Sequence, residues 1–178
     1  AAWSSGGNLN TGRSLMGSAG IQTAALAVGG DSNSPPPGTR DLAITESYNG
    51  SSWTEVGDLG SLRRRISAAG TSTSAIIAGG FEPPSVAKAE TWDGSSWTEV
   101  GDLNQARSST GMSGASNTSA LIFGGGPPAG TVTDETELWG GSSWTEVGDL
   151  NTGGYGSTGT GTATAAICFD RASTEDTA

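Results

Sequence analysis

The apolar positions of this chain fall into short clusters separated by polar, glycine-rich stretches. Four clusters stand out: Ala24-Ala-Leu-Ala-Val-Gly-Gly30, Ser74-Ala-Ile-Ile-Ala-Gly-Gly80, Ser119-Ala-Leu-Ile-Phe-Gly-Gly125 and Ala165-Ala-Ile-Cys-Phe-Asp-Arg171. An amphipathic helix needs ten or more periodic residues, so clusters of about five predict buried strands. Each is preceded by a small, Ser/Gly/Ala-rich segment: Arg13–Gly20, Arg63–Gly70, Arg107–Gly114 and Tyr155–Gly161. Such segments suit an innermost strand packed closely around an axis.

After the Gly-Gly come variable loops, Asp31–Arg40, Phe81–Ala87 and Gly126–Thr131, whose prolines cannot donate to a ladder. A third apolar segment follows: Ala43–Tyr48, Lys88–Trp92 and Asp134–Trp139. It runs into Asn49-Gly50, Asp93-Gly94 or Gly140-Gly141. Asn-Gly and Asp-Gly predict a type I′ hairpin, because both central residues need positive φ. The fourth segment, Ser-Trp-Thr-Glu-Val, alternates as an edge strand does.

That last segment belongs to a decapeptide, Gly-Ser-Ser-Trp-Thr-Glu-Val-Gly-Asp-Leu, which occurs unchanged at Gly50–Leu59, Gly94–Leu103 and Gly141–Leu150. A degenerate copy, Trp3–Leu9, opens the chain, and Trp3, Trp53, Trp97 and Trp144 are spaced by 50, 44 and 47 residues. A period in this range, with four strands in each, predicts the blades of a β-propeller. The units are 10–59, 60–103, 104–150 and 151–178, the last completed by 1–9. Glu175 matches Glu46, Glu90 and Glu137, so the end of the chain supplies a third strand and Trp3 a fourth. The expected fold is therefore one all-β domain over 1–178, a four-bladed propeller whose last blade is closed by the N-terminal strand. Pairing of two chains, or membership of a longer array, are the alternatives.

The repeat resembles the kelch family. The carriers are Gly29-Gly30, Gly79-Gly80 and Gly124-Gly125 after the apolar strand, an aromatic residue at Tyr48, Trp92 or Trp139, and a tryptophan five residues later at Trp53, Trp97 or Trp144. Arg13, Arg63 and Arg107 stand about sixteen residues before each Gly-Gly. The resemblance covers essentially the whole chain. It departs in the fourth unit, where Asp170-Arg171 replaces Gly-Gly and Gly154 lies near the Arg position. Kelch propellers usually have six or seven blades, so four is unusual. The resemblance implies packing roles for Trp3, Trp53, Trp97, Trp144, Tyr48, Trp92 and Trp139. The three arginines are expected to bond strand-end carbonyls or the repeated Glu46, Glu90 and Glu137.

Chemistry is sparse. The 178 residues include 30 glycines, one cysteine and no histidine, with a net charge of −10. Absence of histidine removes Ser/His/Asp and Cys/His catalysis. It also removes the copper site of kelch oxidases, so no cofactor and no metal is expected. The acidic balance disfavours nucleic acid and anionic membranes, and no apolar run is long enough for a transmembrane helix. Cys168, inside an apolar cluster, reads as a small core hydrophobe. The repeated Glu55, Glu99, Glu146 and Asp58, Asp102, Asp149 read as solvated groups or caps of backbone amides. A glycosidase using paired carboxylates is the minor alternative.

The loops remain, since binding residues concentrate on loops held by a rigid scaffold. Loop sequence varies here while the scaffold repeats almost unchanged. The candidate contacts are Asp31, Asn33, Pro36, Phe81, Glu82, Pro83 and Pro127, with Phe81 foremost. The expected function is non-enzymatic binding of a protein or cell-surface glycan. A looser resemblance to repeats in structural and fibre proteins of marine phages implies a virion-surface or extracellular adhesion module, as a homo-oligomer or part of a larger fibre. The alternative is an intracellular protein–protein scaffold of the kelch type.

Overall fold

The computed structural model describes residues 6–32, 41–126 and 132–169. Among them there is no helix, and the strands form three four-stranded antiparallel sheets and one two-stranded sheet, each with its strands in sequence order. The first sheet comprises β1 (Gly17–Ile21), β2 (Ala24–Asp31), β3 (Asp41–Tyr48) and β4 (Trp53–Glu55). The second comprises β5 (Ser67–Thr71), β6 (Ser74–Ala78), β7 (Ala89–Trp92) and β8 (Trp97–Val100). The third comprises β9 (Gly111–Ser116), β10 (Ser119–Phe123), β11 (Thr136–Trp139) and β12 (Trp144–Glu146). The fourth holds β13 (Thr158–Thr162) and β14 (Ala165–Phe169). In the first three sheets this repeated, propeller-like all-β organisation follows the four segments read in each repeat; of the fourth, the described residues hold the first two strands. The first segment differs in its start: the arginines lie in a turn before the strand, where Leu15, Arg65 and Ser109 adopt φ of 55°, 53° and 56°.

The cores lie between sheets, because each sheet has two apolar faces. One core joins Ala19, Leu26 and Val28 of the first sheet to Ala75, Ile77 and Trp92 of the second. The next joins Ala69, Ile76 and Ala78 of the second sheet to Met112, Ala120, Ile122, Trp139 and Trp144 of the third. The front of each sheet thus meets the back of the next. Alternation along β6 sends Ile76 forward and Ile77 backward, and both are fully buried. At the third junction Gly159 of β13 lies against Phe123 and the Met112 backbone, where an added Cβ would come within 2.5 Å of both.

Strands β1, β5, β9 and β13 pack in succession, β1 on β5, β5 on β9 and β9 on β13. The four together line two cavities of about 230 Å³ each, walled by residues such as Ser18, Ser67, Ser113, Gly159 and Thr160. No contact of similar extent joins β13 to β1. The small first segments therefore do surround a common space, as their composition predicts. Trp3 and Glu175, on which the closing strands of the last unit were placed, lie outside the described residues.

The Gly-Gly pairs have a specific task. Gly79 and Gly80 adopt φ of 66° and 110°, a region that costs ordinary residues dearly. They turn the chain so that the Gly80 amide donates to the Arg107 carbonyl of the next unit at 2.9 Å. Gly30 donates likewise to Arg63, and Gly125 to Gly154, both at 2.8 Å. Gly154 keeps the carbonyl role of the missing arginine, so this bond survives in the fourth unit.

Candidate functional site

Repeated polar residues must first be separated from groups free to bind. Arg107 is wholly buried; it donates to Glu137 at 2.7 Å and to the Glu135 carbonyl at 2.8 Å. Arg63 pairs with Glu90 and donates to the carbonyls of Gly79 at 3.1 Å and Lys88 at 3.0 Å. Arg13 pairs with Glu46 at 2.8 Å and reaches the Ala27 carbonyl at 3.0 Å. The carboxylates also hold the turn before the arginine: Glu137 accepts from the backbone and side chain of Asn104, and Glu90 from the Gly60 amide. Burial lowers the pKa of Arg63 and Arg107, opposed by their glutamates. All three pairs are internal struts between strand, turn and the third strand, with both expected partner types present.

The aromatic pairs are also scaffold. Tyr48 and Trp53, Trp92 and Trp97, and Trp139 and Trp144 lie ring to ring at 5.0–5.3 Å on the back of their sheets. Trp92 and Trp139 are the deeper members, each 1% exposed, whereas Trp53 and Trp97 are half-buried. Trp97 donates its indole N–H to Thr45 of the preceding sheet at 2.9 Å. Glu55, Glu99 and Glu146 are solvent-exposed. Asp58 and Asp149 accept from the Thr45 and Thr136 amides at 3.3 and 3.4 Å, which are capping roles. Among the described residues no three side chains form a metal-binding cluster, and no helix is long and apolar enough to cross a membrane.

Of the candidate loop residues, Asn33, Pro36 and Pro127 lie outside the described residues. Asp31 belongs to the sheet instead of the loop. It ends β2, pairs with Asp41, exchanges two backbone bonds with Ser14 and is 6% exposed. Its ladder partners extend the strand past the Gly-Gly, which the sequence pattern did not indicate.

Phe81, Glu82 and Pro83 do come together. The Phe81 backbone exchanges two bonds with Arg64, at 2.7 and 3.2 Å, and the Val86 amide donates to Gly80 at 2.9 Å, closing the loop. The Phe81 ring is not bare: the Arg64 guanidinium lies over it at 4.6 Å and that of Arg65 at 5.9 Å. Such cation–π contacts are worth about 0.5–1 kcal/mol at exposed sites. Arg64 is fixed in turn by an ion pair with Asp41. Glu82 bonds Lys88 at 3.0 Å and Ser61 at 3.1 Å. Slight burial works against its ionised form, but these two donors prevail and hold its pKa below the ordinary value. Pro83 and Pro84, joined by a cis peptide bond, are exposed, as is Arg65. Ser85, buried beneath, bonds Ser108 of the next unit at 3.0 Å.

The result is a small platform: a half-buried ring under two guanidinium groups, a flanking carboxylate–ammonium pair and a proline rim. It can stack against a planar or apolar group and bond acceptors through Arg65, which makes no ion pair among the described residues. The arginines were not singled out as binding residues from sequence; the signal was the run Arg63-Arg64-Arg65, whose members diverge into core, ring cover and solvent. The chain matches no family model, and no curated protein is significantly similar to it.

Proposed function

We propose that this chain is a run of four kelch-like propeller units that binds a partner and does not catalyse. The binding face is the end bearing the loops after the Gly-Gly pairs, centred on Phe81, Arg65 and Pro83. The partner is a protein or cell-surface glycan, in keeping with a virion-surface or extracellular adhesion module. The observation that carries this reading is the Phe81 platform. Loop residues are held by backbone bonds to Arg64, and two prolines and one guanidinium stand exposed beside a half-buried ring. Preorganised loops lose little entropy on binding. The planar ring and guanidinium suit the apolar face and hydroxyls of a sugar, or an aromatic-rich peptide.

The test is a glycan array and a host-surface binding assay with the native chain and Phe81→Ala. Phe81→Ala is expected to lower binding at least tenfold while far-UV circular dichroism stays unchanged. Undiminished binding by a folded Phe81→Ala chain would overturn the assignment of this loop.

A further inference from the structure

The hairpins between the third and fourth strands of the first three sheets differ at one position. Asn49 precedes Gly50 in the first, Asp93 precedes Gly94 in the second and Gly140 precedes Gly141 in the third. Their backbones agree. The residue before the glycine donates its amide to the carbonyl of Ser52, Ser96 or Ser143, at 3.2, 3.3 and 3.2 Å. The glycine has positive φ each time, 93°, 101° and 90°. Asn49 therefore places a side-chain amide where its counterparts carry a carboxylate or nothing.

That amide is held for reaction. Asn49 Oδ1 accepts from the Ser51 amide at 2.9 Å and from the Ser52 amide at 3.0 Å. Asn49 and Gly50 are both solvent-exposed. The Asn49 Cγ and the Gly50 nitrogen are linked through Cβ, Cα and the backbone carbonyl carbon, so a bond between them closes a five-membered ring. Gly50 has no Cβ to hinder the approach, and its amide donates to no other group among the described residues. As the nitrogen attacks, negative charge gathers on Oδ1. The two serine amides already aimed at that oxygen lie at the distances that stabilise an oxyanion. Fixing the side chain in the turn also reduces the freedom lost on ring closure.

We propose that the Asn49–Gly50 hairpin is a site of self-modification, converting asparagine to aspartate and isoaspartate through a succinimide. The Gly50 nitrogen attacks Cγ, the new C–N bond forms, the Cγ–Nδ2 bond breaks, and ammonia leaves with the proton from Gly50. Water then opens the ring. Cleavage between Cγ and the nitrogen gives an aspartyl residue; cleavage between the backbone carbonyl carbon and the nitrogen gives an isoaspartyl residue with Cβ in the main chain. Either product adds one negative charge. The aspartyl form fits the turn, because Asp93 makes the same two amide bonds at 2.8 and 2.9 Å. The isoaspartyl form lengthens the chain beside the Tyr48–Trp53 pair that joins β3 to β4, and so disturbs their register. Asp93 resists the same attack. Its pKa is lowered to about 2, and an ionised carboxylate is a poor electrophile. This inference uses neither the Phe81 loop nor the residues that complete the fourth unit.

The experiment is tryptic mass mapping of the chain after prolonged incubation in mildly alkaline buffer, with and without urea. Peptide 41–63 holds no asparagine but Asn49. In the folded chain it is expected to gain the mass of an amide-to-acid exchange and to accept label from an isoaspartyl methyltransferase with its methyl donor. Asn104 and Asn117 are the internal comparison. They precede Gln105 and Thr118, and their Nδ2 atoms bond Glu137 and the Trp92 carbonyl. Asn49 should convert about tenfold faster than either, since only its neighbour lacks a Cβ. Asp93→Asn tests the hairpin itself and should bring the same conversion to the second sheet. An unchanged mass for peptide 41–63 overturns the proposal, as does conversion no faster than at Asn104. So does conversion confined to the urea-unfolded chain, or a second hairpin that stays inert in Asp93→Asn.

Discussion

Replacing Glu137 by glutamine removes one charge from a wholly buried pair and changes little else. The Glu137 side chain is 2% exposed and that of Arg107 0%. The carboxylate accepts three bonds: from Arg107 at 2.7 Å and from the amide and side chain of Asn104 at 2.9 and 2.8 Å. Glutamine has the same shape but presents a single acceptor oxygen. The guanidinium is left charged in a site whose burial already disfavours that charge. Its Nε also has no partner among the described residues, which leaves the Glu135 carbonyl at 2.8 Å and the charges of Glu135 and Asp149 as the only remaining compensation. Breaking a buried pair by removing one partner typically costs about 3–5 kcal/mol. Urea unfolding followed by tryptophan fluorescence is the assay, with Glu146→Gln as the exposed control. Glu137→Gln should lose about 3–5 kcal/mol and the control under about 0.5 kcal/mol. The combined Arg107→Met, Glu137→Leu chain should regain most of the loss, because an apolar pair of similar volume leaves no stranded charge. A loss below about 1 kcal/mol for Glu137→Gln would refute the view that these pairs brace the turn before each first strand.

Two further predictions address the repeat. Gly79→Ala should destabilise by about 1–3 kcal/mol in the same assay, since its φ is positive and the new Cβ would fall 2.4 Å from the Arg107 carbonyl. Gly148→Ala, with nothing within 4 Å, is the neutral counterpart. At the second hairpin, the Asp93 carboxylate accepts from the Ser96 and Ser95 amides and the Ser95 hydroxyl, which hold its pKa down to about 2 from 3.8. A depressed carboxylate stabilises the fold above its unfolded pKa. The contribution is complete above roughly pH 5 and disappears as pH falls through about 2. Asp93→Asn keeps the Asx turn, as Asn49 does at the first hairpin. The stability difference between the two chains should therefore shrink across that acid window, and a carboxyl titration by NMR should show the low midpoint.

The architecture was legible because its local signals agree. Apolar clusters of about five residues, Gly-Gly, Asn-Gly and the recurrent tryptophans all repeat together, and each marks one strand or turn. The pairing of Arg107 with Glu137 was readable for the same reason, both recurring at fixed offsets. Single-copy features were not legible. The extension of β2 to Asp31 depends on a ladder with Ser14 and Asp41, which no local pattern announces. The Phe81 ring looks bare in sequence, and its cover by Arg64 arises because the turn carrying Leu15, Arg65 and Ser109 bends back through positive φ. The relative depth of Trp92 and Trp97 is likewise set between sheets, since two tryptophans in adjoining strands look alike until the neighbouring sheet buries one.

The central claim is that each repeat folds as an antiparallel sheet whose middle strands are sealed between neighbours. Residue-resolved amide hydrogen exchange tests it most directly. The account predicts the slowest exchange in β2, β6 and β10, with faster exchange in β4, β8, β12 and the Gly-containing hairpins. That alternation should recur with the spacing of Trp53, Trp97 and Trp144. Uniformly fast exchange, or one protected block without the repeat period, would contradict it.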